Sequence, residues 1–344
     1  MHFIKSNATE IKETNPYKKV EKIGRICYKS EDKITEDSWK TFVGNLIKRQ
    51  HFAMLEHARL FFLIHINDED GCAEVRGIDL MNDLSKLPYV YADFSGYSHC
   101  AEVGVDVSLS HIYNDRWRTY PYSQTMTILD AFRIVIEEYF EFDFDDKKFS
   151  KNRVLDNLKE LHNLELGDIE FRMDWESSDT PTWSYPECEY VTVKFDCDRG
   201  VSHELVRHRV AVAQSSTRYC NYSKEKFGNG DIAFVYPHDY DAWYNDVKLL
   251  FEQNLKECED TYNYMIGENM SPQQARAILP NALATEVVLT MNLAQWKHFI
   301  DLRYKGTTGA PHPDMKDVAS IAYDDILHSY LENISDIYFE HLND

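Results

Sequence analysis

Positive charge is scarce in this chain. It has 37 lysines and arginines against 58 aspartates and glutamates, a formal net charge of -21 over 344 residues. A nucleic-acid binder needs a basic stripe as its electrostatic footprint; none is present, so no nucleic-acid partner is expected. No apolar run approaches the roughly 20 residues that span a bilayer, and MHFIKSNATEIKETN lacks the apolar core of a secretory signal. A cytoplasmic protein with no membrane partner is the expectation. The seven cysteines (Cys27, Cys72, Cys100, Cys188, Cys197, Cys220 and Cys258) are odd in number, scattered and without a CxxC pair. That pattern fits reduced thiols, not a disulfide framework or a structural zinc site. Also missing are the G-x-x-x-x-G-K-[ST] loop, G-x-G-x-x-G and the G-x-S-x-G elbow, so an NTPase, a Rossmann dinucleotide site and a hydrolase elbow are not signalled.

One metal motif is nearly present. His203-Glu204-Leu205-Val206-Arg207-His208 resembles HExxH with one residue too many. Two histidine ligands must lie four apart to share a helical face; at five apart the second points about 140° away. No metal site is expected.

What the chain does have is a cluster of cations where anions would otherwise be repelled. SHELVRHRVAVAQSSTRYCNY, Ser202 to Tyr222, places Arg207, His208, Arg209 and Arg218 among hydroxyls and aromatics. Guanidinium forks match phosphate oxygens bidentately, and Ser and Thr hydroxyls complete such a cradle. The cluster therefore suggests a specific small anionic ligand, the alternative being ordinary ion pairing with the surplus carboxylates. Arg276 in ARAILP and Arg303 in HFIDLR lie in apolar helical stretches. If they face inward they must find an anion or a buried carboxylate; otherwise they snorkel to solvent. With 22 Tyr, 18 Phe and 6 Trp, flat walls for a planar ligand are available, although most aromatics fill cores.

Length allows one large domain or two ordinary ones. A helix is expected from a Thr35 cap to about Gln50, with Trp39, Phe42, Val43, Leu46 and Ile47 inward. Arg59–Ile66 reads as a strand too continuously apolar to be half exposed, and Tyr190–Cys197 as a strand with one wet face. Between them, residues 67–189 form an insertion with one good helix, Thr127–Glu141, an acidic run, Glu141–Asp146, and a loop, Asp174–Pro186. Further helices are expected over Asp241–Ile266, after the Ser271–Pro272 cap, over Leu293–Arg303, and from Pro313 to about Tyr338.

The arginine-rich segment resembles the signature of the flavin-dependent thymidylate synthases, RHR followed by Q-x-S-x-R-Y. GRICYKS (Gly24–Ser30), HFAMLEHARLFFLI (His51–Ile64), DRGVSHELVRHR (Asp198–Arg209), STRYCNYSKEKFG (Ser216–Gly228), ARAILPNALATEVVLTMNLAQWKHFIDLR (Ala275–Arg303) and PHPDM (Pro311–Met315) are similar to family segments and occur in family order. The resemblance covers roughly the first 65 residues and those from 190 onward. It implies an α/β (α+β) fold, a central mixed sheet flanked by helices, in a single domain over 1–344 that carries the 67–189 insertion. It also implies a homotetramer with shared active sites, and reductive methylation of dUMP at C5 with methylenetetrahydrofolate as one-carbon donor, NADPH as reductant and FAD as cofactor.

By the same resemblance His51, Arg207, His208, Arg209, Gln214, Asn292 and His298 would hold FAD. Glu204, Arg207, Gln214, Ser216, Arg218, Arg276 and Arg303 would bind dUMP. Arg303 would be the catalytic residue, facing the uracil and favouring ionisation at N3, which loads electron density onto C5. Ser216 is read as a ligand-binding group, not a nucleophile. Three departures stand out. Six residues, VAVAQS, separate Arg209 from Ser216 where the family has seven, so either a residue is deleted near Val212 or Thr217 takes the serine's place. Ala53 replaces a hydroxyl residue, which bears on flavin retention, and the GTTGAP loop before His312 is long. The first leaves open dUMP hydroxymethylation, or dCMP or UMP as substrate. A catalytically silent homologue is the reading from another class.

Overall fold

The computed structural model describes residues 1–87, 90–114, 125–144, 149–172, 189–218, 220–224, 228 and 230–332. In chain order its strands are β1 (His2–Ile4), β2 (Asn7–Glu10), β3 (Arg59–Asn67), β4 (Tyr91–Tyr97), β5 (Cys100–Ser108), β6 (Ile169–Arg172), β7 (Tyr190–Asp198), β8 (Ala211–Gln214), β9 (Ala233–Val235) and β10 (Ala284–Asn292). Its helices are α1 (Pro16–Cys27), α2 (Ser38–Lys48), α3 (Ala73–Leu84), α4 (Leu109–Tyr113), α5 (Thr125–Tyr139), α6 (Lys151–His162), α7 (Arg199–Leu205), α8 (Asn245–Gly267), α9 (Pro272–Ala275), α10 (Leu293–Ile300) and α11 (Pro313–Ala322). Among the described residues no helix is long and apolar enough to cross a membrane.

The chain divides into two compact units. The first comprises Met1–Lys12, Lys22–Ile34 and Tyr185–Asp344; the second comprises Glu13–Glu21 and Thr35–Ser184. The fold is α/β, with sheets flanked by helices. Both four-stranded sheets are antiparallel, and among the described residues parallel pairing is confined to β1 with β9.

In the first unit the sheet order is β2-β7-β10-β8. Val191, Val193 and Phe195 of β7 and Val287, Leu289 and Met291 of β10 share one core with Trp296, Phe299, Met315 and Val318. The Trp296 indole donates to Val191 O at 3.0 Å, so the ring's one polar atom is satisfied inside the core. The expected wet face of β7 is only half wet: Tyr190, Lys194 and Asp196 are half-buried, and Thr192 alone is buried. β7 lies between β2 and β10, Thr192 is buried and shares a 2.8 Å hydrogen bond with Thr290, and the Lys194 ammonium meets Asp196 at 2.9 Å. A strand paired on both edges buries its polar residues by pairing them with one another.

In the second unit the order is β4-β5-β3-β6. Leu60, Phe62, Ile64 and Ile66 of β3 point into a core with Val103, Val105 and Val107 of β5 and Ile128, Leu129 and Phe132 of α5; Phe62 and Phe132 stack at 3.9 Å. The reading of β3 as continuously buried is corrected. Its other face carries Arg59, Phe61 and His65, all half-buried. Arg59 makes a two-pronged bond to Asp106, Nε to Oδ1 at 3.1 Å and Nη2 to Oδ2 at 2.8 Å. Thr35 does not cap α2, which begins at Ser38 after Asp37. The Ser38 hydroxyl accepts from Thr35 N at 2.8 Å and donates to Glu21 at 2.8 Å, closing a turn ahead of the helix. The expected helix over Thr127–Glu141 is α5, ended by Glu141 at φ 50. The Asp174–Pro186 loop and part of the acidic run lie outside the described residues.

Candidate functional site

The site grows from the two ends of adjacent strands. β7 ends at Asp198, whose carboxylate accepts from Val201 N at 2.8 Å and caps α7. α7 carries buried Ser202 and half-buried Glu204, and the chain leaves it through Arg207, His208 and Arg209 before returning as β8 beside β10. β10 ends at Asn292, which caps α10 reciprocally: Asn292 Oδ1 accepts from Gln295 N at 2.8 Å, and Gln295 Oε1 accepts from Asn292 N at 3.1 Å. After α10 the backbone widens into a single π turn, Asp301–Lys305. Asp301 is clamped there by Lys297 at 2.9 Å and Lys305 at 3.0 Å, and Arg303 lies within the turn. Such turns re-aim a side chain that a regular helix would direct elsewhere.

These elements surround a cavity of about 540 Å³ lined by Arg207, His208, Arg209, Asn292, His298 and Arg303, with Val210, Met291, Ala294, Gln295 and Leu302 as the remaining walls. Arg303 is the most constrained cation in it. Its Nη1 donates to Glu204 Oε2 at 2.5 Å, its Nη2 to Glu204 O at 3.5 Å, and its Nε to His208 Nε2 at 3.3 Å. For His208 to accept there, its ring must be neutral with the proton on Nδ1. Burial drives the His208 pKa down to about 4, and Arg303 and His298 push the same way. The ring packs against Phe299 at 5.1 Å. By contrast, Arg207 and Arg209 are exposed and have no ion-pair partner among the described residues. The cavity thus offers two open guanidiniums, one tethered guanidinium, a neutral imidazole and apolar walls.

A second group of sequence-predicted residues gathers on the turn after β8. Gln214 Nε2 donates to Ser202 Oγ at 2.9 Å, Ser216 Oγ accepts from Arg218 N at 3.3 Å, and Arg276 Nη1 donates to Thr217 Oγ1 at 3.1 Å. Gln214, Ser216, Arg218 and Arg276 are not among the cavity's lining residues, and Arg218 and Arg276 are exposed. The eleven first-unit residues singled out in the sequence therefore fall into a cavity group of six and a turn group of four, with Glu204 joined to the former through Arg303. His51 belongs to the second unit. Sequence reasoning missed Gln295, whose signal was available as the N-x-x-Q capping pattern, and Glu286, which lies under the turn.

Residues 175–326 match the model of a family described as thymidylate synthase complementing protein. Over 106 residues the chain is 34% identical to the flavin-dependent thymidylate synthase of Geobacter sulfurreducens, and over 112 residues it is 37% identical to that of Thermococcus onnurineus. Over this part the chain is similar to the flavin-dependent thymidylate synthases. The matches cover 30% and 31% of this chain and 43% and 42% of those relatives, so the chain spans less than half the length of either. The family match contains both groups of the site, the RHR cavity and the turn after β8. Among solved structures, the UMP/dUMP methylase PolB from Streptomyces cacaoi bound with 5-Br dUMP is similar at a TM-score of 0.36 and 16% identity, covering 60% of this chain and 90% of that one.

Proposed function

We propose that the chain is a flavin-dependent thymidylate synthase that converts dUMP to dTMP, with methylenetetrahydrofolate as one-carbon donor, NADPH as reductant and FAD as resident cofactor. The observation that carries this reading is the pairing of two arginines that have no ion-pair partner among the described residues with a pre-set Arg303 in one cavity, inside a chain of net charge -21. A dinucleotide cofactor brings phosphates and a flat ring, and the donor set fits both: Arg207 and Arg209 for anionic oxygens, His208, Asn292 and His298 for polar edges, and Met291 and Leu302 for apolar faces. When bound, the flavin supplies the hydride of the reaction.

The chain's own residues bind and polarise. Glu204 and neutral His208 hold the Arg303 guanidinium in one place before substrate arrives, so little reorganisation is needed when negative charge develops. Facing the uracil, Arg303 favours loss of the N3 proton and so enriches C5 in electron density. Ser216, Arg218 and Arg276, with Gln214, are assigned to the nucleotide. The role assigned to His51, the homotetramer with shared sites, the cytoplasmic location and the treatment of 67–189 as an insertion in one domain belong to the same proposal and rest on the family resemblance.

A second reading is favoured by one contact. Arg276 donates to Thr217, not Ser216, so the hydroxyls that follow RHR are offset on the shortened signature. Such an offset would suit a different outcome on the same base, hydroxymethylation of dUMP, or a different pyrimidine, dCMP or UMP. Mass spectrometry of products from dUMP, methylenetetrahydrofolate, NADPH and FAD separates the readings. A dTMP product is expected. A hydroxymethyl product, or turnover of dCMP or UMP alone, supports the second reading. A flavin that NADPH never bleaches, with dUMP still bound, refutes both in favour of a silent homologue.

A further inference from the structure

Glu286 is an acid placed where strands usually place apolar residues. It sits inside β10 with Val287 and Val288 beside it, both fully buried. Its carboxylate, whose side chain is 14% exposed, receives the Lys29 ammonium, the Ser215 hydroxyl at 3.2 Å and the Lys194 ammonium at 3.4 Å. Burial alone would raise the Glu286 pKa, but Lys29 and then Lys194 outweigh it and hold the carboxyl below the usual range. The backbone repeats the contact, since Ser215 N donates to Glu286 O at 2.9 Å.

Lys29 adds an independent sign. It leaves α1 with φ 48, a left-handed conformation uncommon for a residue with a side chain. Residues held in such regions persist where the surroundings over-determine them. Here the surroundings are Glu286 on one side and the turn on the other, for Ser216 N donates to Cys27 O at 3.4 Å. The turn that carries Ser216 and Arg218 is thus fixed at its start by Ser215 on Glu286, in its middle by the end of α1, and beyond by Arg276 on Thr217.

We infer that Glu286 is a positioning residue: it acts through Ser215 and Lys29 to fix the Ser215–Arg218 turn in the conformation that binds the nucleotide phosphate. The inference rests on the assignment of Ser216, Arg218 and Arg276 to a nucleotide. It needs no contact between Glu286 and ligand, which its two ammonium neighbours would in any case screen.

Two measurements on the full chain test it, one of which needs no ligand. In Glu286→Gln the carboxylate charge is lost and the shape kept. Amide hydrogen exchange over residues 215–220 should quicken about tenfold or more, the scale of a lost charge-assisted hydrogen bond, with exchange in α10 unchanged. Lys29→Met should reproduce the effect in part, and Ser215→Ala should add little on top of Glu286→Gln, because both remove one network. Calorimetry with dUMP should show weakening by about tenfold in the same variant while flavin content stays at the wild-type level, and Glu286→Asp should recover part of the affinity. Unchanged exchange over 215–220 in Glu286→Gln overturns the positioning role whatever the ligand. Quickened exchange with wild-type dUMP affinity overturns its link to the nucleotide. A wild-type chain that binds no dUMP refutes the substrate assignment instead, and the exchange result then decides the structural half alone.

Discussion

The neutrality of His208 is the most quantitative expectation the site provides. Its ring accepts from Arg303 at 3.3 Å, and burial, followed by Arg303 and His298, places its pKa at about 4 in place of 6.5. The sign follows from linkage. Folding depresses the pKa of a base, so the unfolded chain takes up a proton that the folded chain refuses as pH falls below 6.5. The stability from this residue is fully present above pH 6.5, declines through the interval and is lost by about pH 4. The whole effect is about 3 kcal/mol, and roughly 2 kcal/mol of it is gone by pH 5, an upper value because the ring is only partly shielded from solvent. The assay is an NMR titration of the imidazole signals, with His208→Asn identifying the resonance and denaturant unfolding at pH 8 and pH 5 giving the energy. The wild-type midpoint should fall near 4. Arg303→Ala should move it upward but leave it below 6.5, because burial, the larger cause, remains. A wild-type midpoint near 6.5, or equal losses of stability between pH 8 and pH 5 in wild type and His208→Asn, would refute the reasoning and with it the Arg303–His208 hydrogen bond.

Arg303→Ala should abolish turnover while the protein retains its flavin absorbance; activity close to wild type would remove Arg303 from the mechanism. Arg207→Ala should lose flavin, and a variant that purifies fully yellow would contradict that role. In the second unit Asp106→Ala removes the two-pronged carboxylate from the Arg59 guanidinium, whose side chain is 12% exposed, and should cost about 1.5–3 kcal/mol, read as a lower denaturation midpoint; a change under about 0.5 kcal/mol, ordinary for a surface substitution, would show the pair to be idle.

Much of the site was legible because its residues cluster in sequence. RHR, Gln214, Ser216 and Arg218 lie within a dozen positions, and α10 follows from helical spacing. Long-range partners were not legible. Nothing near Glu204 in the sequence announces Arg303, 99 residues away, as its ion-pair partner, and Glu286 reads as a lone polar residue in a strand until Lys29 and Ser215 are seen around it. The division into units was likewise hidden, because β3, which closes the N-terminal stretch that carries the family resemblance, pairs with β5 and β6 from the 67–189 region. The degree of burial was misjudged for the second faces of β3 and β7 for one reason: the pattern tells which residues share a side, whereas burial of that side depends on what lies across it.

β10 serves as a ruler. Glu286 near its start underlies the turn, Asn292 at its end opens the cavity, and the six residue steps from one to the other span about 20 Å of rigid backbone. Both project from the same side of the strand, so a one-residue slip in its pairing would turn both away together. The spacing between the two groups of polar side chains is therefore set by strand register, and loop variation has little power to alter it. A ligand assembly of different length would require a different strand.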